Sequence, residues 1–148
     1  MKKISVGIIG VGRWGTNYLR TFSGFDDVEV VSICSRTRDS LKKAISSVKP
    51  KQKPKLTTNC NDVIHDPKID AVAIASDAST HFMIAKQAFM HKKHVLVEKP
   101  VAFSSNEVKE LIKISKAKNK ILMAGHLHLF NPAIIKLKED IQKGKFGK

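Results

Sequence analysis

Short, continuous apolar runs alternate along the whole chain with stretches whose apolar positions recur every three or four residues, a pattern that predicts strands interleaved with helices. Val6 to Ile9 is a run of strand length, and Trp14 to Phe22 carries apolar residues at helical spacing. Val28 to Cys34 predicts a second strand, and Thr37 is placed to cap a helix running to about Val48. Two prolines within Lys49 to Lys55 break the pattern before a short strand near Leu56-Thr57 and a helical turn from Asp62 to His65. Ala71 to Ala75 is uninterrupted and apolar, as a central parallel strand covered on both faces requires. A helix from about Thr80 to Met90 and a strand from His94 to Val97 follow. Ser104 and Glu107 have the spacing of a capping box, opening a helix to about Lys118. Ile121 to Ala124 is the last strand, and Asn131-Pro132 supplies an N-cap and first-position proline for a helix to about Gln142. Strands and helices in alternation predict an α/β fold with a doubly wound parallel sheet. Residues 1–148 read as one domain, with 1–130 as its core and 131–148 as a helix and the start of a linker.

Composition narrows the classes. At 148 residues and 42% hydrophobic content the chain can bury one proper core. No apolar run approaches the length of a membrane span, and Met1-Lys2-Lys3 leads into a strand pattern instead of a signal-peptide core, so no membrane partner and a cytoplasmic location are expected. Cys34 and Cys60 make neither a disulfide framework nor a metal cluster, and Cys34, at the end of an apolar run, reads as a small buried strand residue. The formal charge of +14 raises the question of a nucleic-acid partner. Its distribution answers against one: the excess is nearly all lysine, spread over every predicted helix and concentrated only in the Lys49 to Lys55 loop, while arginine, better suited to forked phosphate contacts, is scarce.

The segment joining the first strand to the first helix carries the strongest signal. Gly10-Val11-Gly12-Arg13-Trp14-Gly15 is a complete glycine fingerprint for a dinucleotide, standing between a strand and a helix in the required order. Gly10 would allow the tight turn, Gly12 would let the backbone approach a pyrophosphate, and Gly15 would let the helix pack close to the strand. The phosphates would rest on the free amides at the start of the helix, beside Arg13 and Trp14. The fold class is therefore expected to be Rossmann-type, with ligands at the carboxyl ends of the strands.

The second strand ends in Ser35-Arg36, where an acidic residue would hold the ribose hydroxyls of NAD; a hydroxyl followed by arginine suits the 2′-phosphate of NADP, and the expected cofactor is NADP or NAD, leaning to NADP. The fourth strand ends in Ser76-Asp77-Ala78-Ser79-Thr80-His81, whose polar residues either face the nicotinamide half or cap the next helix, His81 being equally well read as a packed histidine. The fifth ends in Glu98-Lys99-Pro100. Lys99 would stand near the reacting carbon and relay a substrate proton, Glu98 would orient it or accept a ribose hydroxyl, and Pro100 is a candidate for a cis bond. His126 and His128 would point the same way if their segment were extended, but without a cysteine or acidic partner no metal site is expected.

Together, Gly7 to Gly15, Ala71 to His81, His94 to Pro100 and Gly125 to Pro132 resemble the Gfo/Idh/MocA family, the glucose-fructose oxidoreductase and inositol dehydrogenase relatives, over essentially the entire chain. The resemblance implies an NAD(P)-dependent oxidoreductase that moves hydride between nicotinamide and a sugar, sugar-nucleotide or polyol, with Lys99 catalytic. Arg13 to Asn17 and His126 to Pro132 look most like the branch acting on sugar nucleotides. Two departures stand out. Asp77 occupies a position where the family usually has proline, and the sequence stops about where the family's second domain would begin. That α+β domain is implied to supply the substrate pocket, a catalytic histidine and most contacts of a homo-oligomer; none of His65, His81, His91, His94, His126 and His128 matches that histidine. The alternatives to half of a dehydrogenase are a non-catalytic NAD(P)-binding module or sensor and a partner of a separate substrate-domain chain. Glu98-Lys99-Pro100 favours the enzyme, and the glycine spacing disfavours an S-adenosylmethionine site.

Overall fold

Six strands pair into a single parallel sheet of order β3-β2-β1-β4-β5-β6. The computed structural model describes residues 3–147; Met1 and Lys2, which belong to the N-terminal reading above, and Lys148, the end of the expected linker, lie outside the described residues. The strands are β1 (Ile4–Ile9), β2 (Val28–Cys34), β3 (Lys55–Thr57), β4 (Ala71–Ile74), β5 (His94–Val97) and β6 (Leu122–Ala124). The helices are α1 (Arg13–Phe22), α2 (Arg38–Val48), α3 (Asn61–Ile64), α4 (His81–Met90), α5 (Ser105–Ala117) and α6 (Pro132–Gln142), with 3-10 turns at Ala78–Thr80 and Leu127–Phe130.

The expected α/β doubly wound architecture is the observed one. β1 starts at Ile4, two residues ahead of the apolar run, because Ile4 pairs with Val28 while its side chain stays exposed. A 3-10 turn precedes α4, so that helix begins at His81, and Ile121 is left outside β6 at 65% exposure.

Alternation along the strands builds a core on each face. Ile8, Val30, Ile33 and Ala73 pack with Leu19 of α1 and Leu41 and Ala44 of α2. Ile9, Ile74, Val95 and Val97 pack on the other face with Ala85, Ala88 and Phe89 of α4 and Leu111 of α5. The capping signals read from sequence hold in detail: Thr37 Oγ1 accepts from the Ser40 amide, Ser104 and Glu107 close a reciprocal box, and Asn131 Oδ1 accepts from the Ala133 amide. α6 buries none of its residues. Among the described residues no helix is long and apolar enough to cross a membrane.

Pairing also fixes where the strands stop. Thr57, Cys34, Ile9, Ile74, Val97 and Ala124 are consecutive partners across the sheet, so all six strands end in one row. The ladder continues one bond further: the amides of Ser35, Gly10, Ala75, Glu98 and Gly125 donate to the carbonyls of Thr57, Cys34, Ile9, Ile74 and Val97 at 2.8–3.2 Å. The residues that follow the strands are thus delivered to one edge with the order of the sheet.

Cys34 sits in this row at 5% exposure, and burial pushes its thiol up from 9.0 to about 11, with Cys60 and Asp62 adding to the effect. Below pH 9 the thiol is protonated in both folded and unfolded chains; above it the unfolded chain releases a proton that the folded chain keeps, so stability falls as pH rises toward 11. Over that interval urea melts of the wild type should lose roughly 2 kcal/mol more than those of C34A. An identical slope in C34A would show that the thiol is not sealed.

Candidate functional site

The direction of winding reverses between β1 and β4, and the ends of these strands meet there with the start of α1. Gly10 turns the chain out of β1 at φ +90°, and a Cβ there would collide with the backbone of Ala75 and Ser76 at the end of β4. A Cβ on Gly15 would collide with the Gly10 carbonyl oxygen, so α1 lies directly against the turn it follows. Gly12 is the opposite case: nothing stands within 4 Å of the position its Cβ would take. The three glycines thus have the three spatial settings predicted for them.

Gly12 is also the N-cap of α1, and no side chain caps that helix, whereas Thr37, Ser104 and Asn131 cap α2, α5 and α6. The first turn of α1 has no acidic residue and opens with exposed Arg13 and Trp14. Its amide donors and the positive end of its dipole therefore face open space above Gly12, where a bound anion would satisfy them. These residues fit a pyrophosphate.

At the end of β2, half-buried Ser35 is tied to β3 through its amide, and Arg36 is exposed. Beside them a cleft of about 350 Å³ is lined by Arg38, Leu41, Lys42, Leu56, Thr57 and Asp62. Arg38 and Lys42 extend the basic character of Arg36 along α2; spacing alone did not single them out, because in sequence they are two more surface cations of a basic helix.

The polar run after β4 is mostly occupied with its own turn. Asp77 accepts from the Ser79 amide at 3.0 Å and from the Ser79 hydroxyl at 2.5 Å, capping the 3-10 turn. These bonds hold its carboxyl below the usual carboxylate range, and the charge of nearby Arg36 pulls the same way. Ser76 Oγ and Thr80 Oγ1 lie 2.7 Å apart. Asp77 is exposed and Ser76 half-buried. His81 is placed differently from an expected cofactor contact: it is 1% exposed, with Nδ1 2.8 Å from the Pro100 carbonyl oxygen and Nε2 3.1 Å from that of Ser76. The ring lies between these two carbonyl oxygens, one from the β4 loop and one from the β5 loop, and a neutral ring donates to one of them.

The β5 end divides into buried and exposed parts. Glu98 is 5% exposed, and its carboxylate meets donors of the scaffold. Its Oε1 accepts from the Tyr18 hydroxyl and its Oε2 from the Lys99 amide at 3.3 Å, so it orients the lysine through the backbone. Tyr18 stacks on Phe22, and burial, reinforced by Glu98, pushes its hydroxyl well above the ordinary tyrosine range. Tyr18 was missed from sequence, where it is one apolar position of α1. Gly125 completes the arrangement: a Cβ there would lie 2.9 Å from Glu98 Oε1 and 3.1 Å from the Tyr18 hydroxyl. Lys99 itself is exposed, and the Lys99-Pro100 bond is cis. Leu127–Phe130 is a 3-10 turn, so His126 and His128 do not have the shared direction of an extended segment.

Comparison with known proteins agrees with this geometry. Residues 4–126 match the family model described as an oxidoreductase family, NAD-binding Rossmann fold. An uncharacterized oxidoreductase of Bacillus subtilis is 32% identical over 146 residues, covering 99% of this chain and 42% of that protein. Myo-inositol 2-dehydrogenase of Thermotoga maritima is 30% identical over 143 residues, covering 97% of this chain and 42% of the enzyme. Scyllo-inositol dehydrogenase of Lactobacillus casei, solved with NAD(H) and scyllo-inositol, shares the fold at TM-score 0.85 and 22% identity, covering 99% of this chain and 43% of that one. The chain thus spans about 42% of the length of the curated relatives it matches.

The glycine settings separate stability from binding. G15A should lose roughly 3 kcal/mol or more in a urea melt, since helix and turn must part, while G12A should stay within about 1 kcal/mol of wild type. Equal losses in the two variants would contradict the contrast between a filled and an open position.

Proposed function

The chain belongs to the Gfo/Idh/MocA oxidoreductase family, and from that premise we propose that it forms the cofactor-holding half of an NAD(P)-dependent oxidoreductase acting on a ring hydroxyl of a sugar, sugar nucleotide or polyol. The observation that carries the reading is the uncapped start of α1, open over Gly12, in the same row of strand ends as Lys99. A module that only bound the nucleotide would have no use for an exposed lysine held on a buried carboxylate.

Each residue then has a chemical task. The amides at Gly12, Arg13 and Trp14 receive the pyrophosphate, and Gly12 lets it approach. Ser35 and Arg36 take the adenosine ribose end. All four arginines of the chain lie between residues 13 and 38, and Arg36 and Arg38 flank the start of α2, which supports a 2′-phosphate and hence NADP over NAD. When bound, the nicotinamide supplies a hydride acceptor or donor. Lys99 holds the substrate hydroxyl by hydrogen bonding and takes or returns its proton. Ser76 and Asp77 border the nicotinamide side of the opening. The exposed apolar residues Leu127, Leu129, Phe130, Ile134 and Ile135 form the face on which the additional length present in the relatives would pack to complete a substrate pocket.

The only tryptophan of the chain, Trp14, makes binding measurable, because it stands at the proposed phosphate turn. Energy transfer from Trp14 to NADPH or NADH should report saturable binding with NADPH the tighter. G12A should weaken both about tenfold or more, R36A should weaken NADPH about tenfold with little change for NADH, and K99A should leave both within a few-fold. Absence of transfer with either nucleotide would overturn the cofactor reading, and a preference for NADH would overturn the assignment of Arg36. In a chain that turns over polyols or sugar nucleotides, K99A should abolish turnover with cofactor affinity retained; undiminished turnover would remove Lys99 from the chemistry.

A further inference from the structure

The Tyr18 to Glu98 bond links residues 80 positions apart and is made beneath the lysine assigned to chemistry. A carboxylate buried to 5% exposure needs donors for both oxygens, and it has two: the Tyr18 hydroxyl on one and the Lys99 amide on the other. Neither bond is free to drift. β4 holds the Glu98 backbone through the Ile74 carbonyl at 2.9 Å, Phe22 stacks on the Tyr18 ring at 5.7 Å between centroids, and the missing side chain of Gly125 leaves the pair its space. From the other side, His81 holds the Pro100 carbonyl at 2.8 Å. Lys99 is therefore exposed on a peptide gripped at both ends.

Resting on the proposed role of Lys99, we infer that Tyr18 is a positioning residue, acting through Glu98 to fix the peptide from which Lys99 reaches the reacting carbon. The tyrosine hydroxyl binds one carboxylate oxygen and so sets the rotamer in which the other meets the Lys99 amide. Its role differs from that of a core aromatic, for which ring and stacking suffice and the hydroxyl is incidental. Tyr18 stays protonated in this arrangement, since burial and the adjacent carboxylate both oppose its ionisation.

Y18F keeps the ring and its stacking while deleting the one atom the proposal needs, and E98Q keeps the shape while removing the charge and leaving one accepting oxygen in place of two. Three readouts on the whole chain test them. Amide hydrogen exchange followed by NMR without any nucleotide should show Lys99 protected in wild type and about tenfold less so in Y18F and E98Q, with Val97 unchanged. Tyr18 is the only tyrosine, so absorbance of the phenolate reads it alone: wild type should ionise above the ordinary range, and E98Q should fall toward it. Acetylation of Lys99, followed by peptide mapping, should be slowed by NADPH in wild type and distinctly less in Y18F, although Trp14 energy transfer shows the nucleotide still bound. Unchanged Lys99 exchange in a folded Y18F overturns the inference, as does a wild-type tyrosine that ionises normally. If E98Q does not fold, Y18F and the wild-type titration decide alone. If NADPH fails to bind wild type, it is the cofactor reading that falls, while the exchange experiment still decides whether Tyr18 places the Lys99 peptide.

Discussion

Everything functional in this chain depends on the in-register ending of its strands. Parallel pairing puts Thr57, Cys34, Ile9, Ile74, Val97 and Ala124 in a single row, and one additional ladder bond carries the next residue of five strands to the same edge. Without that row, Gly10, Ser35, Glu98 and Gly125 would be unrelated loop positions. With it, the turn at Gly10 presses against the end of β4, and α1 can pack on the turn because Gly15 has no side chain. Tyr18, one turn further along α1, then reaches the carboxylate that β5 delivers. A helix displaced by the width of a methyl group would lose that bond, so the fit at Gly15 and the placement of Lys99 are coupled through one helix.

The buried elements were legible in the sequence because burial on both faces leaves a continuous apolar signature, as in Ala71 to Ala75, and because caps such as Thr37, Ser104 and Asn131 act within a few residues of themselves. The glycine turn was legible for the same reason: each glycine answers a local steric demand. Boundaries slipped where pairing, not hydrophobicity, sets the end. Ile4 is in β1 although exposed, and Ile121 is outside β6 although apolar. An orienting Glu98 and a packed His81 were among the readings, but the partners of Tyr18, Glu98 and His81 were not legible, since they stand 80, 80 and 19 residues away and a single sequence carries no mark of such pairs. A polar residue at a strand end can be seen in sequence, but whether it faces a ligand or the scaffold is decided by tertiary contacts.

That distinction orders the site by burial. Glu98 and His81 are buried among scaffold partners. Gly12, Arg13, Trp14, Arg36 and Lys99 are exposed, and they are the groups proposed to meet phosphates and a substrate hydroxyl. The formal charge of +14 belongs to a different category. Most of it is lysine spread over the helices, a diffuse field that favours anions in general but points to none. The uncapped start of α1 and the arginines at 36 and 38 are local, directed, and placed on the edge where the strands end.

Electrostatics gives the same division a physical reason. A carboxylate beside a reacting lysine serves chemistry only if it does not take the ammonium into a fixed ion pair, because a lysine committed to a salt bridge cannot also bind and release a substrate proton. Here Glu98 makes no such pair: one oxygen accepts from a neutral hydroxyl, the other from a backbone amide, and among the described residues no ion pair involves Lys99. Neutral donors satisfy the buried charge without adding a competing cation to the opening. A lysine or arginine in place of Tyr18 would satisfy the carboxylate more strongly, but it would add a second positive charge near Lys99. The hydroxyl at Tyr18 is therefore suited to support Lys99 in a way that stronger donors are not, and the narrow space left by Gly125 admits it.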